Sequence, residues 1–190
     1  MSVYVFGFEK PGMEWIRAAT ANPAMIFVML LLSLVSGPLN EEFGWRGYSL
    51  DRLFYRFGFL RASLILGIIW TAWHLAWFFT PGQAQYQMLQ SSVWEALLYV
   101  AFNTLLSFIV SFVYIAANRS VLAAAFTHMM SNFLTSQLLA PLSSGARSVI
   151  FGVTSVFCVV MIICLSVSAS FKAKWDVQIQ NIRDDMEKFS

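Results

Sequence analysis

The sequence predicts an all-α fold, a polytopic transmembrane helix bundle. Three observations predict it. Charged residues make up only 12% of the chain and hydrophobic residues 58%, where a soluble domain carries about 25% charged residues. The mean hydropathy is +0.66, and the chain holds 18 Phe and 7 Trp. Apolar runs of the length that crosses a hydrocarbon core, about 20 residues, recur along it.

By length and apolarity there are about five spans, at 23–43, 61–80, 93–117, 120–140 and 148–170. Pro23 suits the first turn of the first span, where its missing N–H costs nothing. Residues 44–60 place Arg46, Arg52 and Arg56 among aromatics, the pattern of a cytoplasmic interfacial helix. Pro81-Gly82 ends the second span, and Gln83 to Ser92 read as a polar loop. Asn118-Arg119-Ser120 divides the third span from the fourth, with Ser120 as N-cap. Pro141 and Ser143-Ser144-Gly145 divide the fourth from the fifth. Three regions follow: a polar or interfacial N-terminal segment, 1–22; an intramembrane core, 23–170; and a helical, solvated, cytoplasmic tail, 171–190.

Basic residues set the orientation. Arg46, Arg52, Arg56, Arg61, Arg119, Lys172, Lys174, Arg183 and Lys188 fall on one side, and Lys10, Arg17 and Arg147 on the other. The richer side belongs in the cytoplasm. That leaves the N-terminus outside, although Glu9, Lys10, Glu14 and Arg17 break any secretory signal there. The net charge of +2 is small and its cations are scattered, which argues against a nucleic-acid partner. Cys158 and Cys164 lie in one apolar run. Six residues of helix separate them by about 9 Å along the axis, too far to pair with each other.

Ionisable groups at bilayer depth are costly and mark function. Glu41 and Glu42 arrive together after the uncharged run Asn22 to Leu39, and the two histidines, His74 and His128, both sit in apolar runs. Spacing gives each a face. Trp70 and His74 are four apart, as are His128 and Asn132, so each pair shares one side of its helix. Glu42 and Arg46 are four apart in the order that favours an ion pair. Glu41 points about 100° away from Glu42. One glutamate is thereby free to act as a base while the other holds Arg46. The pocket these residues form is expected within the membrane, open to the cytoplasm.

Hydrolysis suits such a set. A carboxylate can take a proton from water, with a histidine sharing the task, and a histidine with an asparagine can donate to an oxyanion. Glu41, His74 and His128 also match the three protein ligands of a catalytic zinc, although His-Glu-x-x-His on one helix is absent. The chemistry therefore needs no cofactor in one arrangement and a zinc in the other.

Glu41-Glu42-x-x-x-Arg46, Trp70-x-x-x-His74 and His128-x-x-x-Asn132, in that order on successive spans, resemble the three motifs of the CPBP family. This family comprises the CAAX prenyl proteases of the Rce type and the related Abi proteins, which process bacteriocins or confer self-immunity. The resemblance covers residues 36 to 135 and implies an intramembrane endopeptidase, with 23–170 as the protease core. It implies that Glu41 and His74 activate water, that His128 and Asn132 stabilise the oxyanion, and that Glu42, Arg46 and Trp70 support them. The family pattern has Phe where this chain has Trp70, which keeps the aromatic wall. Relatives carry more spans before the first motif. The expected partners are membrane lipids and a peptide or lipidated-protein substrate, and the expected location is a bacterial plasma membrane.

The competing function is a non-catalytic immunity or peptide-binding membrane protein using the same pocket. A transporter is a weaker reading, since no repeat is visible. Among the remaining polar residues, Glu95 reads as an interfacial charge, and Asn103 and Thr104 as helix–helix hydrogen bonds. Trp73, Trp77, Phe78 and Phe79 suit an interfacial belt.

Overall fold

A computed structural model of the chain describes residues 20–139 and 142–188. Most of the 1–22 segment, Pro141 and the last two residues of the tail lie outside that range. The described residues are helical, without strands. In order they form α1 (Pro23–Val35), α2 (Pro38–Gly44), a π-helical stretch (Trp45–Leu50), α3 (Asp51–His74) and a 3-10 turn (Leu75–Phe79). Then come α4 (Ala84–Ser91), α5 (Val93–Ala116), α6 (Val121–Leu134), a second π-helical stretch (Thr135–Leu139), α7 (Ser144–Val167) and α8 (Ala169–Lys188).

Among these residues, three stretches are long and apolar enough to cross a membrane: Ala24–Phe79, Val93–Ala116 and Ser144–Val167. Val121–Leu134 is apolar but shorter. Large side chains such as Phe27, Ile68, Trp73, Phe157 and Ile163 point outward, the surface a bilayer covers and water does not. The protein is an integral membrane helix bundle.

The element boundaries differ from expectation in an instructive way. The first span does not run unbroken from 23 to 43. It stops at Val35, and a new helix starts at Pro38. Gly37 sits outside helical geometry, at ψ −61° with φ −178°, because proline disfavours a helical residue before it and cannot donate to the preceding turn. Glu41 and Glu42 therefore open a helix rather than close one. That helix continues through the 44–60 region, which was expected as an interfacial connection. One of its faces buries Arg46, Leu50 and Phe54 completely or nearly so, while Tyr48, Arg52 and Tyr55 face outward.

Gly58 reverses the chain. Its φ of 69° and ψ of 174° lie in a region open essentially to glycine alone. The reversal is required by the contacts that follow. Residues 41 and 70 would be about 43 Å apart on a straight helix, yet Trp70 Nε1 donates to Glu41 Oε2 at 3.0 Å.

The return limb of α3 packs on α5 through small and polar residues. A Cβ at Gly67 would lie 2.5 Å from the Thr104 carbonyl oxygen and 3.0 Å from Ser107 Cβ. Asn103 Nδ2 donates to Thr71 Oγ1 at 3.1 Å, and the Thr71 and Thr104 hydroxyls bond at 3.0 Å. These are interhelical bonds of the kind membrane interiors use. Gly67→Ala is expected to push the two helices apart and cost about 1–3 kcal/mol. Denaturation in mild detergent would measure it, and unchanged stability would show that the seam has slack.

α5 ends in a tight turn with Asn118 and Arg119 at φ 55° and 64°, and Ser120 caps α6 by accepting from Ala123 N at 3.3 Å. α7 begins at Ser144 and ends at Val167, earlier at both ends than the expected 148–170.

The tail is helical but one of its faces is docked rather than solvated. Trp175 meets Phe54 and Phe59 at ring separations of 4.8 and 4.7 Å, and Ile182 is buried. Arg119 joins the tail to the bundle, with Nη2 on Asp51 Oδ2 at 2.5 Å and Nη1 on Asp185 Oδ2 at 2.6 Å. The Arg119 hydrogen bond holds the Asp185 carboxyl below the ordinary carboxylate range. A depressed carboxyl favours the docked state at neutral pH, and loses that effect as pH falls through its lowered value. Acidification below about pH 4 is expected to loosen α8, read by Trp175 fluorescence. Asp185→Asn should remove that acid step; an unaltered acid profile in the variant would contradict it.

Candidate active site

The site is assembled around Trp70, near the C-terminal end of α3. Four polar side chains reach it from three helices. Its indole Nε1 donates to Glu41 Oε2 at 3.0 Å. Its main-chain oxygen accepts from His74 Nδ1 at 2.8 Å. Its ring lies edge-on to His128 at 4.7 Å, and the Arg46 guanidinium carbon stands 5.0 Å from its centroid.

Glu42 and Arg46 are wholly buried, and they neutralise one another. Arg46 Nη1 donates to Glu42 Oε1 at 2.8 Å. Arg46 Nη2 donates to the Ser107 carbonyl at 3.2 Å and to Ser107 Oγ at 3.0 Å, tying α2 and its continuation to α5. Burying a lone charge is prohibitive, so each half of such a pair depends on the other. Glu42 Oε1 also lies 2.9 Å from His128 Nδ1. A carboxylate only accepts, so His128 carries its proton on Nδ1 and keeps Nε2 for another partner. The sequence offered no sign of this bond, which joins residues 86 positions apart.

Glu41 is half-buried, and its Oε1 has no hydrogen-bond donor among the described residues. His74 is buried at the end of α3, where the helix tightens into the 3-10 turn. Its Nδ1 faces a carbonyl, which can only accept, so Nδ1 holds the proton and Nε2 presents a lone pair in the neutral ring. Trp77 braces the ring edge-on at 4.9 Å. Glu41 and His74 do not bond directly; each is held by a different atom of Trp70.

A cavity of about 330 Å³ adjoins the site, with His74, Trp77, Gln85, Tyr99, Asn132 and Arg147 in its wall. Asn132 is exposed there, one turn from the buried His128. Glu41 and His128 are not among the lining residues; Trp70 contacts both of them and also His74, which is in the wall. Sequence reading missed Gln85, Tyr99 and Arg147, which carry no motif spacing.

Glu95 is a correction. Expected as an interfacial charge, it is fully buried. Arg147 Nε donates to its Oε1 at 2.5 Å and Arg147 Nη2 to its Oε2 at 3.1 Å, while Ser144 Oγ donates to Oε2 at 2.5 Å. This network pins the start of α7 to α5 and fixes one wall of the cavity.

The cavity lies toward one end of α5. Glu95 and Arg147 mark one end of α5, and Ala116, whose carbonyl accepts from Lys174 Nζ at 2.7 Å, marks the other. Arg147 lines the cavity, so the cavity lies at the end opposite Arg119, Lys174 and the tail.

Among the described residues, no three His, Cys, Asp or Glu side chains gather into a metal-binding group. Glu41, His74 and His128 are not gathered into such a group, although the Nδ1–H bonds of both histidines leave Nε2 open, as in a metal-ligating imidazole.

Residues 23–134 match the family described as type II CAAX prenyl endopeptidase, Rce1-like. The chain belongs to the Rce1-like family. It is also 32% identical over 114 residues to "CAAX prenyl protease 2" of Methanococcus maripaludis, a match covering 60% of this chain and 42% of that protein. The chain thus spans less than half the length of this relative. The Rce1-like match contains every residue of the site described above from Glu41 to Asn132, and it ends before α7 and α8.

Proposed function

We propose that the chain is an intramembrane endopeptidase that hydrolyses a peptide bond in a membrane-associated or lipidated peptide. Glu41 and His74 take the proton of the attacking water, Glu41 through Oε1 and His74 through Nε2. Both groups keep those atoms available because Trp70 occupies the other carboxylate oxygen and the other ring nitrogen. The oxyanion that forms when water adds to the carbonyl accepts from the Asn132 side-chain amide and, with His128 doubly protonated and its Nδ1–H on Glu42, from His128 Nε2–H, one turn away on α6. Glu42 orients His128 by holding Nδ1, and Arg46 holds Glu42 in place. His74 later returns the proton to the leaving amine. The pocket is apolar enough around its polar groups to admit a peptide close to a lipid anchor.

The observation that carries this reading is that one residue, Trp70, binds both Glu41 and His74 while His74 and Asn132 face a common cavity. The match to a protein named as a CAAX prenyl protease supports the substrate class. The test is cleavage of an internally quenched, prenylated CAAX peptide by the full chain in proteoliposomes. Glu41→Ala, His74→Ala and His128→Ala should each fold and lose cleavage. Full activity in all three would sink the reading and favour a protein that only binds peptide.

A further inference from the structure

Tyr99 stands out among the cavity residues that this mechanism leaves unused. It lies on α5, four residues after the buried Glu95, with its ring clamped between Phe78 at 5.9 Å and Phe151 at 5.6 Å. The clamp leaves the hydroxyl in the wall of the cavity that also holds His74 and Asn132. Gln85 Nε2 donates to the Tyr99 oxygen at 3.2 Å. A phenol has a single proton to donate, and among the described residues that proton meets no protein acceptor. A donor held in a recessed wall needs an acceptor from whatever fills the cavity. Among the described wall residues, the cation Arg147 is already engaged by Glu95, so the cavity is matched to neutral polar groups such as amides.

We propose that Tyr99 is a substrate-positioning residue: its hydroxyl, oriented by Gln85, donates a hydrogen bond to a backbone carbonyl of the peptide bound beside His74 and Asn132. The contact fixes the register of the peptide, and so which bond meets the water. This rests on the peptidase reading, and deepens it by naming a residue that selects the bound pose.

The test uses the full chain in proteoliposomes and the internally quenched, prenylated CAAX peptide. Tyr99→Phe keeps the ring and its clamp and removes only the hydroxyl. It should raise KM about 3- to 10-fold with kcat changed by less than about twofold. Gln85→Leu should shift KM in the same direction. A set of analogue peptides, each with one backbone carbonyl replaced by CH2, adds a readout that a structural role would not move. For one analogue the difference between the wild type and Tyr99→Phe should vanish. An unchanged KM in Tyr99→Phe, or a difference that persists through every analogue, overturns the proposal. His74→Ala run alongside separates the two claims. If it is inactive while Tyr99→Phe matches the wild type, only the Tyr99 contact fails. If it stays fully active while Tyr99→Phe raises KM, the contact stands and the water-activating role of His74 fails.

Discussion

Glu42→Ala is expected to destabilise the protein by about 3–5 kcal/mol, the range for breaking one half of a buried ion pair. The neighbouring variant Glu41→Ala should cost far less. The two residues are adjacent in sequence but differ in surroundings. Glu42 is wholly buried and its Oε1 serves both Arg46 and His128. Removing it strands a guanidinium with no exposure to solvent and frees His128 to rotate. Glu41 is half-buried with one bond to the protein, from the Trp70 indole. A double variant, Glu42→Leu with Arg46→Met, should recover much of the lost stability, since buried pairs are often replaceable by apolar residues of similar volume. It should not recover cleavage, because His128 loses the carboxylate that sets its tautomer. Denaturation of the purified variants in mild detergent reads the first effect, and peptide cleavage the second. Equal stability of the Glu41 and Glu42 variants would contradict the division of labour between them.

The second large effect is on rate. Glu41→Gln keeps the shape and can still accept from Trp70 Nε1, but it cannot take a proton. Positioned general bases contribute about 10²–10⁴-fold, and Glu41→Gln and His74→Ala are each expected to lose activity in that range while stability stays near that of the wild type. Because the two act on one water, their losses should not multiply; the double variant should be only slightly worse than either single one. Multiplying losses would mean that Glu41 and His74 work on separate steps.

Much of the fold was legible because its signals are local. Low charge and recurrent apolar runs identify a membrane bundle without reference to partners, and the spacing of Glu42 with Arg46 and of Trp70 with His74 places each pair on one helical face. What was not legible depends on contacts between distant residues. The 44–60 stretch looks interfacial because its arginines and tyrosines are visible in sequence, whereas the inward set of Arg46, Leu50 and Phe54 becomes apparent only against α5 and α8. Glu95 looks like a boundary charge because Arg147, its partner, lies 52 residues away. The Gly37-Pro38 break carried a local signal, but the surrounding hydropathy outweighed it. At the site, sequence spacing pointed to Glu41, His74, His128 and Asn132. It could not show that Trp70 joins three of them, or that Tyr99 and Gln85 share the cavity with His74 and Asn132.

The central claim is that Glu41 serves chemistry and Glu42 serves structure. The most direct measurement is single-turnover cleavage of the quenched, prenylated CAAX peptide by Glu41→Gln in proteoliposomes, with the denaturation midpoint taken on the same preparation. The account predicts a midpoint close to that of the wild type and a cleavage rate lower by about 10²-fold or more. A folded Glu41→Gln variant that cleaves at the wild-type rate would contradict it.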